Sequence, residues 1–479
     1  MIAAAAFSCT KPVQDVRVTG ISVEPEELRL ELNGTAVLKV TVIPSDAAET
    51  GVEWTSENES VVVVDESGAI TATGVGIADV TAVTLDGGFS ASCRVEVYEP
   101  EPDAVDLSAS EQANCYLIGS GGRYRFNARV RGNGVGTDGQ EAPSLDPASA
   151  VLVWQTDPDM VSSVSLEDGH VVFEVADIRG NALLAVKDSE GNIIWSWHVW
   201  YPKEEFSSAA TKTGYELMDM NLGAMTKGQI PLEDADSYGL LYQWGRKDPF
   251  PAAATVTGDV STVGAPLWDM DGNKVGIQAS STSSVADNTL EYSIANPVVC
   301  LSNYAQFSDS RDWLAAEYSD DSLWGNPEGN VREDGEYVNK GFKTMYDPCP
   351  AGWRVPPADV FSSFTSSGQV SFVHDEFDVD DINRDGLINV NDFSNGWRFA
   401  MADGYMFFPA AARYDGSYAM LMGSVSGLWG SYWSNAPGSQ DYGYGGMGFC
   451  ALSFQSTMVT PSASAARADA YSVRCIREQ

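Results

Sequence analysis

Leu28-Arg-Leu30-Glu-Leu32-Asn-Gly-Thr-Ala36-Val-Leu38-Lys-Val40-Thr-Val42 places an apolar residue at every second position on either side of an Asn-Gly turn. Successive side chains of a strand point to opposite faces, so this alternation marks strands with one buried and one wet face. Ile21 and Val23 carry the same pattern just upstream. Short alternating runs bounded by Gly, Pro, Asn and Asp predict a small antiparallel sandwich over residues 19–98.

The chain around this stretch has 479 residues, enough for two to four domains with full cores. It carries 67 acidic against 28 basic side chains, a formal charge of −39. That excess repels a phosphate backbone and anionic head groups, so neither nucleic acid nor a bare lipid surface is an expected partner. Hydrophobic residues at 44% exclude an acidic disordered tail. Charged residues at 20% are few for a folded protein, a balance common in β-rich extracellular chains. No uninterrupted apolar run approaches the length of a membrane-spanning helix.

Within 19–98, five stretches in order carry a resemblance: Pro44-Ser-Asp-Ala47, Glu53-Trp-Thr-Ser56, Val64-Asp-Glu-Ser-Gly68, Gly74-Val-Gly-Ile-Ala-Asp-Val80 and Ala91-Ser-Cys-Arg-Val95. Together they resemble the bacterial immunoglobulin-like group-2 domain. The resemblance implies a non-catalytic spacer or adhesive module. Pro100-Glu-Pro102 follows as a stiff acidic linker.

Residues 105–203 read as a second β-sandwich that ends in Ile193-Ile-Trp-Ser-Trp-His-Val-Trp200. The aromatic residues there predict core and interface packing. Gly134-Val-Gly-Thr-Asp-Gly139 matches a dinucleotide fingerprint literally. It joins no buried strand to an amphipathic helix, so it reads as a loop.

Residues 206–479 are dense in Trp, Tyr, Gly and Ser. Short helices are expected at 312–317 and 357–364. Met218-Asp-Met-Asn-Leu-Gly-Ala224, Tyr242-Gln-Trp-Gly-Arg246, Asp347-Pro-Cys-Pro-Ala-Gly-Trp-Arg-Val-Pro356, Gly430-Ser-Tyr-Trp-Ser-Asn435 and Tyr471-Ser-Val-Arg-Cys-Ile-Arg477 carry a second resemblance. They look like the Fibrobacter succinogenes major paralogous domain, a variant of the C-type-lectin-like fold. The expected architecture is therefore multidomain: two N-terminal all-β sandwiches, then an α+β lectin-like domain. In that family such domains sit on surface lipoproteins and adhesins of the Bacteroidetes type. Pro350 and Gly352 shape the turn that buries Trp353, and Phe407-Phe-Pro-Ala410 reads as an edge strand stopped by Pro409.

The segment 413–454 is rich in Tyr, Ser, Gly, Asp and Asn, the composition of adaptable binding loops. Tyr414, Asp415, Tyr418, Asn435, Asp441, Tyr442 and Tyr444 are the candidate ligand-binding residues; ordinary Gly-rich loop chemistry is the competing reading. The composition is also compatible with loops diversified by a retroelement.

Asp381-Ile-Asn383-Arg-Asp385-Gly386-Leu387-Ile-Asn389-Val-Asn-Asp392 fits a calcium-loop register. Oxygen ligands at positions 1, 3, 5 and 12, a carbonyl at 7 and a glycine at 6 suit a hard cation. The candidate ligands are Asp381, Asn383, Asp385, Leu387, Asn389 and Asp392, with Glu376, Asp378 and Asp380 adding negative charge. The loop resembles a single dockerin-type repeat. Its expected role is a structural Ca²⁺ that stiffens an insertion around 376–396; an empty acidic turn is the alternative.

Met1-Ile-Ala-Ala-Ala-Ala-Phe-Ser-Cys9 resembles the end of a lipobox, with residues 1–18 as export remnant and tether and Cys9 as the lipidated residue. It lacks a basic leader, and Ala6 stands where leucine is usual. One acylated cysteine anchors a chain without spanning the membrane. Among the remaining cysteines, Cys349 with Cys475 is the first candidate for a disulfide, and Cys93 reads as a small buried residue of a strand.

The three histidines join no nucleophile or metal constellation, and no G-x-S-x-G, H-E-x-x-H or P-loop occurs. A related lectin-like fold supports formylglycine-generating oxidases, but the surroundings of Cys300 and Cys450 lack the required arrangement. The expectation is a non-enzymatic, lipid-anchored outer-membrane or cell-surface binding protein, an adhesin that includes the pilus-tip kind. Its partner would be a glycan or a host or bacterial surface protein. The alternatives are a structural subunit or cap of a pilus or surface assembly, and a carbohydrate-active enzyme.

Overall fold

The computed structural model describes residues 16–99, 103–228, 230–231, 234–256, 264–280, 288–302, 312–328, 331–333, 336–338, 341–416, 420–437 and 447–478. The chain divides into two units, Met1–Asp103 and Ala104–Gln479.

In the first unit the alternating runs form the strands they predict. Gly20–Glu24 pairs antiparallel with Lys39–Ile43. A four-stranded sheet runs Glu27–Glu31, Ser90–Tyr98, Gly76–Thr84, Val52–Ser56, and a three-stranded one runs Thr35–Val37, Ala69–Ala72, Val62–Val64. Their inward residues, among them Val23, Leu38, Val62, Ile70, Val80 and Val95, make one core. Cys93 sits in that core opposite Val80, fully buried as a small apolar residue. Leu28 and Leu30 are half-buried on the parallel edge strand, which matches their alternation.

The second unit is larger and its core crosses the boundary expected near residues 203–206. Gly122–Asn127 and His170–Val175 belong to a four-stranded sheet. Opposite lies a six-stranded sheet with Ile193–Tyr201, Gly180–Lys187 and Ser149–Gln155 at its centre. Phe126 of one sheet meets Trp197 of the other at 5.0 Å between ring centroids. This is a sandwich, but the six-stranded sheet is completed by Leu267–Trp268 and Lys274–Val275 from the following segment. Asn114 likewise donates through Nδ2 to the carbonyls of Met345 (2.6 Å) and Asp347 (2.9 Å). Residues 105–203 and 206–479 thus share one core that contains Trp195, Trp244, Trp324, Trp353 and Trp433. The apolar strand Ile193–Tyr201 is buried on both faces, and part of its cover comes from beyond residue 203: Tyr346 packs on Trp195, and Phe206 and the Ala224 carbonyl meet Trp200.

The C-terminal part is strand-dominated where α+β content was expected. Among the described residues the single α-helix is Leu290–Ala295, N-capped by the Thr289 hydroxyl that accepts from Tyr292 N. The helices expected at 312–317 and 357–364 are 3₁₀ turns, Ala316–Tyr318 and Ala358–Phe364. Around 358–364, Pro356 and Pro357 before the turn and Thr365 and Gly368 after it leave no run long enough for an α-helix to propagate. A large sheet with Leu240–Gln243, Ala470–Ser472, Gly430–Pro437 and Met447–Gln455 at its heart carries the aromatic frame. Beside it the hairpin Gly396–Ala400/Tyr405–Pro409 ends at Pro409, and Phe364 stacks on Phe399 at 4.2 Å. Each buried phenyl there contributes roughly 1.5–3 kcal/mol of burial. Gly134–Gly139 lies in a turn, Gly136 N donating to Gln140 O.

Candidate functional site

The acidic loop folds through its own side chains. Asp381 Oδ1 and Oδ2 accept from the amides of Asp385 (3.2 Å) and Gly386 (2.8 Å). Asn383 Oδ1 accepts from Asp385 N at 2.8 Å, and Asp385 Oδ1 from Leu387 N at 2.9 Å. Gly386 takes φ +82°, the left-handed turn that the glycine at position 6 provides. Asp392 closes the loop: its two oxygens accept from Asn383 N (3.3 Å) and Asn389 N (3.0 Å), and the residue is fully buried. Asn389 Nδ2 donates to the Leu387 carbonyl at 3.1 Å, while the Leu387 side chain stays exposed. The spine of a cation loop is therefore in place, but its donors are turned to backbone amides. Among the described residues no three Asp, Glu, His or Cys side chains converge at metal-ligand distance. Two of the flanking acids are ion-paired, Asp378 with Lys212 and Asp380 with Arg398, while Glu376 keeps its charge and accepts from the Ser371 hydroxyl at 2.6 Å.

Two of the residues expected to form a binding surface over 413–454 are buried. Tyr414 is buried, its ring 5.5 Å from that of Phe250 and its hydroxyl donating to the Pro251 carbonyl. Burial pushes its phenol well above the ordinary range. Asn435 is also buried, accepting through Oδ1 from Asn326 Nδ2 at 2.9 Å. Both side chains are core: Tyr414 pairs with Ala470 across the sheet, and Asn435, in the strand Gly430–Pro437, donates its amide to the Pro356 carbonyl. Asp415 remains half-exposed. Tyr418, Asp441, Tyr442 and Tyr444 lie outside the described residues, as does Cys9.

The sharpest geometry belongs to the Cys-Pro-Ala-Gly-Trp turn. Cys349 and Cys475 are disulfide-bonded, with Cα atoms 6.1 Å apart. Inside the turn lies a cation the sequence pattern does not advertise. Lys343 Nζ, almost fully buried, donates to Asp347 Oδ1 (2.7 Å) and to the carbonyls of Cys349 (2.8 Å) and Trp353 (2.7 Å). Asp347 in turn accepts from the amides of Cys349 and Val355, each at 2.8 Å. Gly352 turns at φ +73°, and Trp353 and Arg354 pair with Arg477 and Ile476 of the terminal strand. The Arg477 guanidinium lies 4.8 Å over the Trp353 ring, and Glu478 N donates to the Gly352 carbonyl at 2.9 Å.

Beside this turn opens a polar cleft of about 670 Å³. Its lining includes Ser110, Glu111, Gln112, Gly352, Arg477 and Glu478, together with Asn133 and Lys343. Partial burial, together with Asp347 and Glu111, raises the Glu478 carboxyl, while Lys343 and Arg354 oppose the shift. Sequence reading missed these residues. Glu111 and Glu478 are separated by nearly the whole unit; the disulfide holds Glu478 by the turn, and Asn114 and the Cys115–Pro350 bridge hold the stretch that carries Glu111 there. The Cys349–Cys475 pairing signals the first placement, and no sequence pattern signals the second.

Other reactive-looking groups are locked in the core. His198 is fully buried, with Nε2 2.8 Å from Asn181 Oδ1, and burial lowers its pKa to about 3. Burial pushes the Cys300 thiol up to about 12, away from nucleophilic use. Lys247 and Asp248 form a buried pair joined by the Ser196 hydroxyl, which donates to Asp248 Oδ1 at 2.5 Å.

Comparison with known proteins identifies the first unit. Residues 17–95 match the bacterial Ig-like domain (group 2). An uncharacterized protein of Clostridium acetobutylicum is 34% identical over 106 residues, 21% of this chain and 27% of that protein. Lacto-N-biosidase of Bifidobacterium bifidum is 41% identical over 90 residues, 19% of this chain and 8% of that enzyme. The minor capsid protein of Enterobacteria phage T3 is 40% identical over 79 residues, 16% of this chain and 18% of that protein. The chain thus spans a quarter or less, or little more, of the length of these relatives. Domains 4 and 5 of the S-layer protein SbsC align over 39% of this chain and 98% of theirs, at 14% identity and a TM-score of 0.17. The four N-terminal Ig domains of Dscam1 isoform 1.9 align at 14% identity and a TM-score of 0.13, over 39% of this chain and 51% of theirs. TM-scores of that size carry no argument about fold or function.

Proposed function

We propose that this chain is a surface-displayed, non-catalytic binding protein. Its Ig-like module is a spacer, and its larger β unit recognises a glycan or a surface protein of a host or neighbouring cell. The observation that carries this reading is the Cys349–Cys475 disulfide buried in that unit. Disulfides persist in oxidising, exported compartments, and an Ig-like module beside one suits life outside the cytoplasm. The charge of −39 supports the same setting, since it keeps the chain off phosphate-bearing partners. In this reading the membrane is met only through an acylated Cys9. A Ca²⁺ held by Asp381, Asn383, Asp385, Leu387, Asn389 and Asp392 supplies local rigidity and no chemistry.

The test has two arms. Intact cells expressing the full chain are treated with protease, and Cys9 is examined by mass spectrometry for acylation. The purified chain is then screened against oligosaccharides and extracellular proteins, with calcium and with chelator. Cleavage at the surface together with a saturable ligand supports the proposal. Surface cleavage with no ligand, and recovery of the chain in a filament, replaces it with a structural pilus subunit. Release of hydrolysed oligosaccharide replaces it with a carbohydrate-active enzyme.

A further inference from the structure

We propose that the strand Val161–Glu167 is a self-association edge, where a second copy of this chain adds antiparallel about a two-fold axis through Ser165. The inference goes beyond the surface-binding reading and stands without it. The strand is the last in its four-stranded sheet, paired with His170–Val175 on one side. Among the described residues no strand lies on its other side.

The hairpin register fixes which groups point outward. Asp168 (φ +47°) and Gly169 (φ +77°) make a two-residue turn with both φ positive, so Glu167 and His170 exchange their backbone hydrogen bonds. The alternation then commits Ser165 and Ser163 to the inner ladder, opposite Val172 and Glu174. It turns the N–H and C=O groups of Val164 and Leu166 away from the sheet, and neither backbone meets a partner among the described residues. The side chains of both are only half-buried against the core that contains Phe173 and Trp197. A bulge between Val161 and Ser163 limits the straight edge to residues 163–167. That stretch carries no proline or lysine, the residues that blunt open edges.

What fits this edge is its own sequence reversed. With Ser165 opposite the same residue of the second copy, Val164 faces the partner's Leu166, and Leu166 the partner's Val164. Each of those pairs exchanges two backbone hydrogen bonds, which uses every outward N–H and C=O of both residues. Their half-buried side chains then cover one another across the axis. Ser163 falls opposite the partner's Glu167. That carboxylate accepts from the Ser165 hydroxyl at 2.6 Å and lies 3.2 Å from Arg123, and it has lone pairs left for a second hydroxyl. No like charges meet. The edge strand Glu27–Glu31 of the first unit shows the contrast: the same self-register sets Glu27 against Glu31 and Arg29 against Arg29, so that edge repels its own copy. The isologous arrangement closes after two copies. The net charge of −39 opposes approach at long range, so the pair tightens as salt screens it.

The experiment follows the full chain by sedimentation velocity over rising concentration, at low and high salt. It compares wild type with Ser165→Lys, which sets two cations against each other at the axis. In parallel, Ser165→Cys and Ser163→Cys are treated with a mild oxidant beside oxidised wild type, whose described free cysteines are buried. Across the axis the Cα atoms of residue 165 stand about 4.5 Å apart, within disulfide reach, whereas those of residue 163 are offset by about 14 Å along the strands. The expected result is a reversible dimer that grows with concentration and with salt and is lost in Ser165→Lys. Oxidation traps it covalently in Ser165→Cys and not in Ser163→Cys, with melting temperatures unchanged. A wild type that stays monomeric at every concentration and salt overturns the proposal. So does equal trapping of the two cysteine variants, or a dimer that survives Ser165→Lys, which places association on another surface. None of these outcomes bears on ligand recognition.

Discussion

Opening the Cys349–Cys475 bond tests the frame on which the cleft depends. The bond closes a loop with a sequence separation of 126 residues. Chain-entropy reasoning for a loop of that length gives about 5 kcal/mol, and residual structure in the unfolded chain brings the expected loss to about 3–5 kcal/mol. The unit that contains it has roughly 375 residues, for which the unfolding entropy is about 0.8 kcal/mol per kelvin. Replacing both cysteines, Cys349→Ala/Cys475→Ala, should therefore lower the melting point of that unit by about 4–6 °C in scanning calorimetry. Any transition of residues 16–99 is the internal control: that stretch holds the single cysteine Cys93, so its transition stays where it is. Both sulfurs are fully buried, so reductant added to the native chain should act slowly, and quickly only in denaturant. A double variant melting within a degree of wild type, or labelling of Cys349 and Cys475 by a thiol reagent in the denatured, unreduced wild type, would refute the loop argument.

Two further outcomes are expected. If the acidic loop takes Ca²⁺, saturating calcium at a hundredfold over the dissociation constant stabilises the second unit by about 2.7 kcal/mol, chelator reverses it, and Asp381→Ala/Asp385→Ala abolishes the response; a wild type indifferent to chelator shows an empty turn. His198 titrates at about 3 in the fold against 6.5 free, so below pH 6.5 the unfolded chain binds a proton that the native state refuses. Its share of stability is intact above pH 6.5 and falls by about 1.4 kcal/mol per pH unit down to about pH 3, which amounts to about 2 kcal/mol at pH 5. His198→Gln keeps a donor for Asn181 and should flatten that part of the acid limb in denaturant titrations; an unchanged slope sinks the assignment.

The first unit was legible because its signal is local. Period-two alternation and turn residues are properties of neighbouring positions, and Leu28, Leu30, Val40 and Cys93 lie where the alternation puts them. The boundary near 203–206 failed because a domain limit is a statement about cores. Trp195, Trp197 and Trp200 looked like the end of a sandwich, yet the partners that cover that strand's sheet, such as Leu267 and Tyr346, come from far downstream. Helix was over-expected in the C-terminal part because short Asp/Ala/Pro-rich stretches serve equally well as 3₁₀ turns.

Composition misled at Tyr414 and Asn435 for a physical reason. A segment rich in Tyr, Ser and Asn can be a paratope or a satisfied polar core, and composition has no direction. What decides is whether each polar atom finds an internal partner. Tyr414 Oη finds Pro251 O, and Asn435 Oδ1 finds Asn326 Nδ2, so both side chains can be buried without an orphaned group. The same test applied to the turn gives the same answer: Lys343 and Asp347 satisfy one another and the backbone, so the buried cation there belongs to the frame.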